Sequence, residues 1–327
     1  MNEFDLIKRL TGSLPKKKGA LKQGIGDDCA VFKVGRENYL CTTDMLVESV
    51  HFKREWTTPY LLGRKILSVN LSDIAAMGGE PLYAVVAAAF PKKTTLPYLK
   101  ELYRGLKAVA NRHKVLLIGG DTNASPGPMV FCVTLLGRSK VSPILRSGAK
   151  VGDDIYVTGP LGRSALGLEV LKKGRGGSKT RPYRQFRPYI KSHLDPTPKV
   201  KVGQWLAQQK IAHSMIDLSD GLLSDLSHIL KASRVGAHLE WDKIPLTRNF
   251  SSLTKRLGLS AQRLALTGGE DYELLFTASR SYRRQLKNFH RIGVVVKGYE
   301  IIHVFNSRKE VIHLPTLGYN HFSSHAR

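Results

Sequence analysis

Acidic residues are scarce in this chain. Only 26 Asp and Glu stand against 51 Lys and Arg, a formal charge of +25 over 327 residues. Such a field draws RNA, membrane surfaces and small phosphorylated molecules alike, and by itself does not choose among them. Cysteine is scarcer still. Cys29, Cys41 and Cys132 make an odd count with no CxxC spacing, which excludes a disulfide scaffold and suits reduced, half-buried strand residues in a cytoplasmic protein. The longest apolar run, AVVAAAF at 84–90, is far too short to span a bilayer. The N-terminal MNEFDLIKRL carries acids and no unbroken apolar core, so no signal peptide and no membrane association are expected. No fixed-period repeat is present, which argues against a solenoid or propeller. The common phosphate-handling loops are also missing: there is no GxxxxGK[ST], no HRD or DFG, and no GxGxxG. The chain is therefore neither a P-loop enzyme nor a protein kinase.

Short apolar, β-branched segments at 29–34, 38–43, 81–90, 114–119 and 129–137 read as strands, with helical periodicity over 59–77 and 95–112. The first half is thus α/β or α+β. The Gly-, Ser- and Lys-rich stretch 137–153 suits a domain boundary, dividing the chain into 1–140 and 141–327. Beyond it a strand at 154–158, helices near 161–173, 198–209 and 220–232, and strands near 236–240, 272–277 and 292–305 predict a second α/β unit. Basic residues concentrate at 16–18, 172–191 and 280–291, and Tyr183, Phe186 and Tyr189 give the middle run a superficial likeness to a nucleic-acid contact. No RNA-binding motif accompanies them, so a solvated basic surface is expected rather than a nucleic-acid partner.

The few acids are not scattered. GIGDDCAVF (24–32) sets Asp27 and Asp28 after two glycines, and CTTD ends a strand in Thr42, Thr43 and Asp44. LLIGGDT ends another in Gly120 and Asp121, and IDLSDGLLSDL (216–226) adds Asp217, Ser219, Asp220 and Asp225. In LLGRKILSVNLSDIAAMGG, Leu62, Ile66, Val69 and Asp73 share one helix face, which puts a carboxylate on an apolar stripe near a helix C-terminus. An unpaired charge there is costly, so a cation is expected nearby: a protein Lys or Arg, or a metal. Each acid alone has an ordinary reading, an Asx turn for Asp28 and Asp121 and a helix cap for Ser219 or Asp220. Together, hard oxygen ligands without clustered His or Cys point to Mg²⁺, which keeps company with phosphates. Phosphate would then be held by metal, by glycine-loop amides and by basic side chains. RSGAKVGDDIYVTGPLG (146–162) offers such a loop, with Arg146 as a candidate clamp. Asp225, a turn into its helix, is expected to be structural and paired with a basic neighbour.

Seven segments in order, GIGDDCAVF, TTDMLVESVHF, VNLSDIAAMGGEP, LIGGDT, RSGAKVGDDIYVTGPLG, IDLSDGLLSDL and TGGEDYELLFT, closely resemble the thiamine-monophosphate kinase family, over nearly the whole chain. The resemblance implies a two-domain fold like that of aminoimidazole-ribonucleotide synthetase. The N-terminal domain would form a barrel-like dimer core, and the C-terminal domain would be α/β. It implies ATP-dependent phosphorylation of thiamine monophosphate with several Mg²⁺ ions, in a homodimer. Carried over by motif, the metal ligands would be Asp28, Thr42, Thr43, Asp44, Asp73, Asp121, Asp217 and Asp220. Nucleotide contacts would come from Tyr103, Gly120, Asp121, Arg146 and Ser219, and the thiamine-phosphate pocket from His51, Glu270 and Tyr319. Read on their own, His51 is a strand-end packing residue and Tyr319 an ordinary turn aromatic. No general base is expected, because a phosphate ester is already ionised at neutral pH. The alternatives are another ATP-using relative, or a basic RNA-binding protein on the same scaffold.

Overall fold

A computed structural model of the chain describes residues 3–14, 17–174, 184–312 and 318. After α1 (Glu3–Thr11) and β1 (Leu21–Gln23), β2 (Ala30–Val34) and β3 (Glu37–Val47) form a hairpin. Then come α2 (Pro59–Ala76), β4 (Glu80–Pro91), α3 (Leu96–His113), β5 (Leu116–Ser125) and β6 (Val130–Ser139). The sheet order is β1-β2-β3-β6-β4-β5, antiparallel except for the β4–β5 pair that α3 connects. β3 and β5 both run past the ends predicted for them. Met45, Leu46 and Val47 continue pairing with β6, and Thr122 to Ser125 continue pairing with β4. The TTD and GGD acids therefore lie inside strands rather than at their ends. Gly120 fits there because any Cβ would meet the Val86 carbonyl oxygen at 2.0 Å.

The second half contains β7 (Asp154–Val157), α4 (Arg163–Lys172), α5 (Arg187–Leu194), α6 (Val200–Gln208), β8 (Ala212–Asp217), α7 (Leu222–Ser233) and β9 (Gly236–Glu240). It closes with α8 (Phe250–Arg256), α9 (Ala261–Thr267), β10 (Leu274–Ala278), β11 (His290–Val296) and β12 (Ile302–Phe305). Its sheet order is β12-β9-β11-β7-β10-β8. Strand β8 was not foreseen, and the predicted 292–305 strand divides in two around a turn at Gly298, where φ is 138°.

Helix α2 ties the halves together. Thr58 caps its N-terminus by accepting from the Leu61 amide, and Pro59 fills the first turn. It is buried around nearly its whole circumference. One side meets the first sheet and α3; another meets α6, where Gly203 is obligatory because a Cβ would come within 2.0 Å of the Ala75 carbonyl. One apolar cluster accordingly runs from Leu40, Ile66 and Phe131 to Leu206, Ile211 and Met215. Phe186 and Tyr189 are 2% and 5% exposed. They are core residues and not a stacking platform for bases, while Tyr183 and Tyr319 lie outside the described residues. Among the described residues, no helix is long and apolar enough to cross a membrane.

Candidate functional site

The strand period of two sorts the residues of TTD. Thr42 is buried and Asp44 half-buried on the side facing α2, whereas Thr43 is exposed on the opposite face and donates to the Val133 carbonyl at 3.0 Å. The Thr43 hydroxyl is therefore not brought to the acids. Thr42 Oγ1 donates to Asp73 Oδ2 at 2.6 Å. Asn70, one turn earlier on α2 and fully buried, accepts the Asp44 amide at 3.1 Å and fixes the strand against the helix. Asp28, Asp73 and Asp217 each offer a carboxylate oxygen, and the three oxygens lie within 4.8 Å of one another. Residues nearly two hundred apart in sequence thus converge where β3, α2 and the end of β8 meet.

These carboxylates have little countercharge. Among the described residues, the one protein cation at ion-pair distance from Asp28, Asp44, Asp73 or Asp217 is Arg146, with Nη2 2.5 Å and Nε 3.1 Å from Asp28 Oδ1. The salt bridge that would have explained Asp73 as a purely structural acid is not there. Burial, then the neighbouring acids, push Asp27 and Asp217 up to about 7 and Asp44 up to about 6. Burial with Asp44 and Asp217 beside it holds Asp73 well above the ordinary carboxylate range. The Cys29 thiol, 1% exposed and surrounded by the same acids, is held neutral. Asp28 Oδ2 is buried and lacks a hydrogen-bond partner among the described residues. Buried acids of one sign, an orphaned oxygen and no clustered imidazole or thiolate fit a hard divalent cation such as Mg²⁺.

The loops depart from expectation. Ser219, Asp220 and Gly221 do not aim their amides at an open site; all three donate to Asp225 Oδ2 at 3.0–3.2 Å. Asp225, in the first turn of α7, ties down the loop before that helix, and its partners are amides rather than a basic side chain. The N-cap of α7 is Gly221, with no side-chain cap, so neither Ser219 nor Asp220 caps it. In the 146–162 loop, Gly148 and Ala149 donate to Ser233 Oγ at 3.1 Å, and the Arg146 amide donates to Asp27. The Arg146, Gly148 and Ala149 amides of this loop are thus committed to side chains. Asp220 adjoins the cluster, being the largest charge acting on Asp44.

A separate cavity is walled by His51, Phe52, Trp56, Leu62, Lys65 and His193. His51 Nδ1 accepts the Val47 amide at 3.0 Å just past β3, so a neutral ring carries its proton on Nε2. Two of these wall residues, Lys65 and His193, contact the oxygens of Glu270 at 2.8 Å and 2.9 Å. The remaining acids of TGGEDYELL are structural. Asp271 accepts the Gly162 and Ser164 amides at the start of α4, and Glu273 takes the Thr158 hydroxyl and Lys199. Sequence reading missed Asn70, Lys65 and His193. A lysine three residues after Leu62 on a buried helix was the available signal.

Gly120, Asp121 and Tyr103 are not brought to the cluster within one chain. Asp44 lies opposite Val133, Val133 opposite Val86, and Val86 opposite Gly120. Three strand spacings amount to about 14 Å. Asp121 stands opposite exposed Ala87, on the far face of the sheet, and binds the Thr122 amide and Asn123. Tyr103 follows Leu102 on α3, whose carbonyl meets α2 at Gly63, ten residues or about 15 Å from Asp73.

Residues 26–139 match the AIR synthase related protein N-terminal domain, and residues 150–305 match its C-terminal domain. A thiamine-monophosphate kinase from Buchnera aphidicola is 39% identical, covering 98% of both chains. That of Bacillus subtilis is 36% identical over 98% of this chain and all of its own. The chain belongs to the thiamine-monophosphate kinase family. Among solved structures of this family, "AaThiL complexed with AMPPCP and TMP" superposes with a TM-score of 0.86 at 31% identity, covering 98% of this chain and 97% of that one.

Proposed function

We propose that this chain transfers the γ-phosphoryl group of ATP to thiamine monophosphate, giving thiamine diphosphate and ADP. The observation that carries the reading is the convergence of Asp28, Asp73 and Asp217, with a single guanidinium among them, near a cavity shared by His51 and the holders of Glu270. Asp28, Thr42, Asp44, Asp73, Asp217 and Asp220 would hold Mg²⁺, whose chemistry is to cancel the repulsion between two phosphate-bearing anions. Arg146 lies against Asp28, and its guanidinium N–H groups would donate to the oxygens of an incoming phosphate. The terminal oxygen of the acceptor monophosphate attacks the γ-phosphorus while the bond to the β,γ-bridging oxygen breaks. The attacking oxygen carries little proton at neutral pH, with a second pKa near 6, so no side chain needs to serve as general base. Burial of the acids and separation of the two sites leave alignment and electrostatics as the protein's contribution. The +25 charge helps gather both anionic substrates.

The residues left out of the cluster imply a partner of the same kind. Met45, Tyr83, Val85, Leu116 and Ile118 are 36–61% exposed. They lie on the first sheet, where the burial alternation of β3 and β4 points Met45, Tyr83 and Val85 away from α2 and α3. A second copy packed there would cover them and close a barrel-like core. It would also bring its own Gly120, Asp121 and Tyr103 to this chain's acids. We place the domain division at 140/141 and the enzyme in the cytoplasm.

The deciding assay incubates the protein with ATP, Mg²⁺ and thiamine monophosphate and follows thiamine diphosphate by chromatography. Folded protein that forms no product defeats the reading, and Asp44→Asn is expected to abolish product. Light scattering tests the pairing, which a monomeric mass would exclude.

A further inference from the structure

Lys65 is 2% exposed in the interior of α2, flanked by Leu62, Ile66 and Val69, where an ammonium group is costly without a partner. Its Nζ lies 2.8 Å from Glu270 Oε1. His193, 3% exposed on α5, places Nδ1 2.9 Å from Glu270 Oε2, and Ser164 Oγ sits 3.0 Å from the same nitrogen. Glu270 itself is held at φ 62°, in the left-handed region that a non-glycine residue avoids. Two buried polar groups and a strained backbone thus converge on one carboxylate. The three members differ in access. The side chains of Lys65 and His193 are 3% and 4% exposed, whereas that of Glu270 is 25% exposed. The disfavoured burial falls on the supports, and the accessible edge belongs to Glu270.

The protonation pattern follows from the contacts. Lys65 and His193 keep Glu270 ionised, below the ordinary carboxylate range. Burial, with Lys65 nearby, keeps His193 neutral. An ionised carboxylate only accepts, so a neutral His193 ring beside it carries its proton on Nδ1, the nitrogen that also contacts Ser164 Oγ. A carboxylate offers about four acceptor positions, and Lys65 and His193 stand against one oxygen each. The positions on its 25% exposed edge suit an incoming N–H donor.

We propose that Lys65 and His193 are positioning residues that fix the Glu270 carboxylate to accept an N–H of the substrate's amino-heterocycle, so that this trio selects the base-bearing part of the phosphate ester. The inference rests on the function proposed above and adds two residues with no role in phosphoryl transfer. It predicts a division of effects. Lys65→Met and His193→Asn raise KM for thiamine monophosphate on the order of tenfold or more, the loss of one charge-assisted hydrogen bond. KM for ATP stays within about threefold and kcat changes far less than KM. Lys65→Arg restores much of the affinity.

Steady-state kinetics of these variants and calorimetric titration with thiamine monophosphate, without ATP, make the test. Titration separates the two readings. Wild-type protein that binds the ester but makes no diphosphate overturns the proposed activity alone; Lys65→Met binding as tightly as wild type overturns the positioning role alone. A parallel loss in kcat and in both KM values also overturns it, because that is the mark of general structural damage. Should Lys65→Met fail to fold, Glu270→Gln, which keeps one acceptor oxygen and similar volume, serves in its place. Unchanged ester affinity in Glu270→Gln sinks the idea, and weakened ester affinity with intact ATP affinity sustains it.

Discussion

Arg146 and Asp28, 118 residues apart, meet as a hydrogen-bonded ion pair, with the guanidinium Nη2 2.5 Å from Oδ1 while Oδ2 of the same carboxylate is left buried without a partner among the described residues. One oxygen is neutralised and the other is not. This pair joins the two halves of the molecule at the point where the acids collect.

Arg146→Met leaves that carboxylate buried with no cation. Removing one member of a buried pair costs about 3–5 kcal/mol, reduced here because the Arg146 side chain is 19% exposed. The metal-free melting temperature should drop, and Mg²⁺ should recover part of the loss by binding only the folded state. A melting curve identical to that of wild type without Mg²⁺ would show that the ion pair is not what balances the site.

Stability should fall between pH 6.5 and 8 in the absence of metal. Asp27 and Asp217, moved up to about 7, hold protons in the folded chain that the unfolded chain has already shed. Their contribution is complete below about pH 4, the unfolded value, and disappears as pH rises through 7. Over this window two such groups account for about 1–2 kcal/mol. His193 and His228, both shifted down by burial, act in the opposite direction but only below about pH 6.5, the ordinary imidazole value. Mg²⁺ favours the ionised acids, so its stabilising effect should be larger at pH 8 than at pH 6. Calorimetry across the range checks both; a metal-free Tm that rises toward pH 8 contradicts the burial argument.

Asp225→Ala removes the acceptor shared by three amides. At roughly 1 kcal/mol for each hydrogen bond, about 2–3 kcal/mol should be lost, with faster hydrogen exchange at residues 219–221. Activity should fall as well, because Asp217 and Asp220 ride on that loop. Asp225→Asn keeps one acceptor oxygen and should recover part of the stability. Exchange at 219–221 as slow as in wild type would mean that the loop is held by other contacts.

Much of this arrangement could be read from the sequence, and what could not has physical causes. The stripe of Leu62, Ile66 and Val69 placed Asp73 on a buried face, and the expectation of a nearby cation followed from desolvation alone. Pattern could not decide between metal and salt bridge, because any of 51 Lys and Arg could have supplied the bridge. It took the fold to show that, among the described residues, no Lys or Arg pairs with Asp73 and that Arg146 pairs with Asp28 instead. Strand ends were misjudged at TTD and GGD, since glycine and aspartate signal a turn unless cross-strand pairing overrides them. Asp225 was recognised as structural, but its amide partners were hidden, because a helix residue reaching back to its own loop leaves no periodic signature. Lys65 and His193 were missed because single residues on different helices announce a contact only after folding.

Asp73 and Asp121 offer the sharpest test of pairing between chains. If the site takes Asp121 from a second copy, Asp73→Asn and Asp121→Asn should each be nearly inactive alone. Co-expressed at equal levels, half of the dimers are mixed. Each mixed dimer carries one site with both substitutions and one with neither, so about a quarter of wild-type activity should return. Sites built within single chains regain nothing on mixing, since every site then keeps one defect. Recovery well below a quarter in a preparation shown by mass spectrometry to be half mixed dimer would place Asp121 outside the shared site, and a fully active Asp121→Asn would remove it from the reaction altogether.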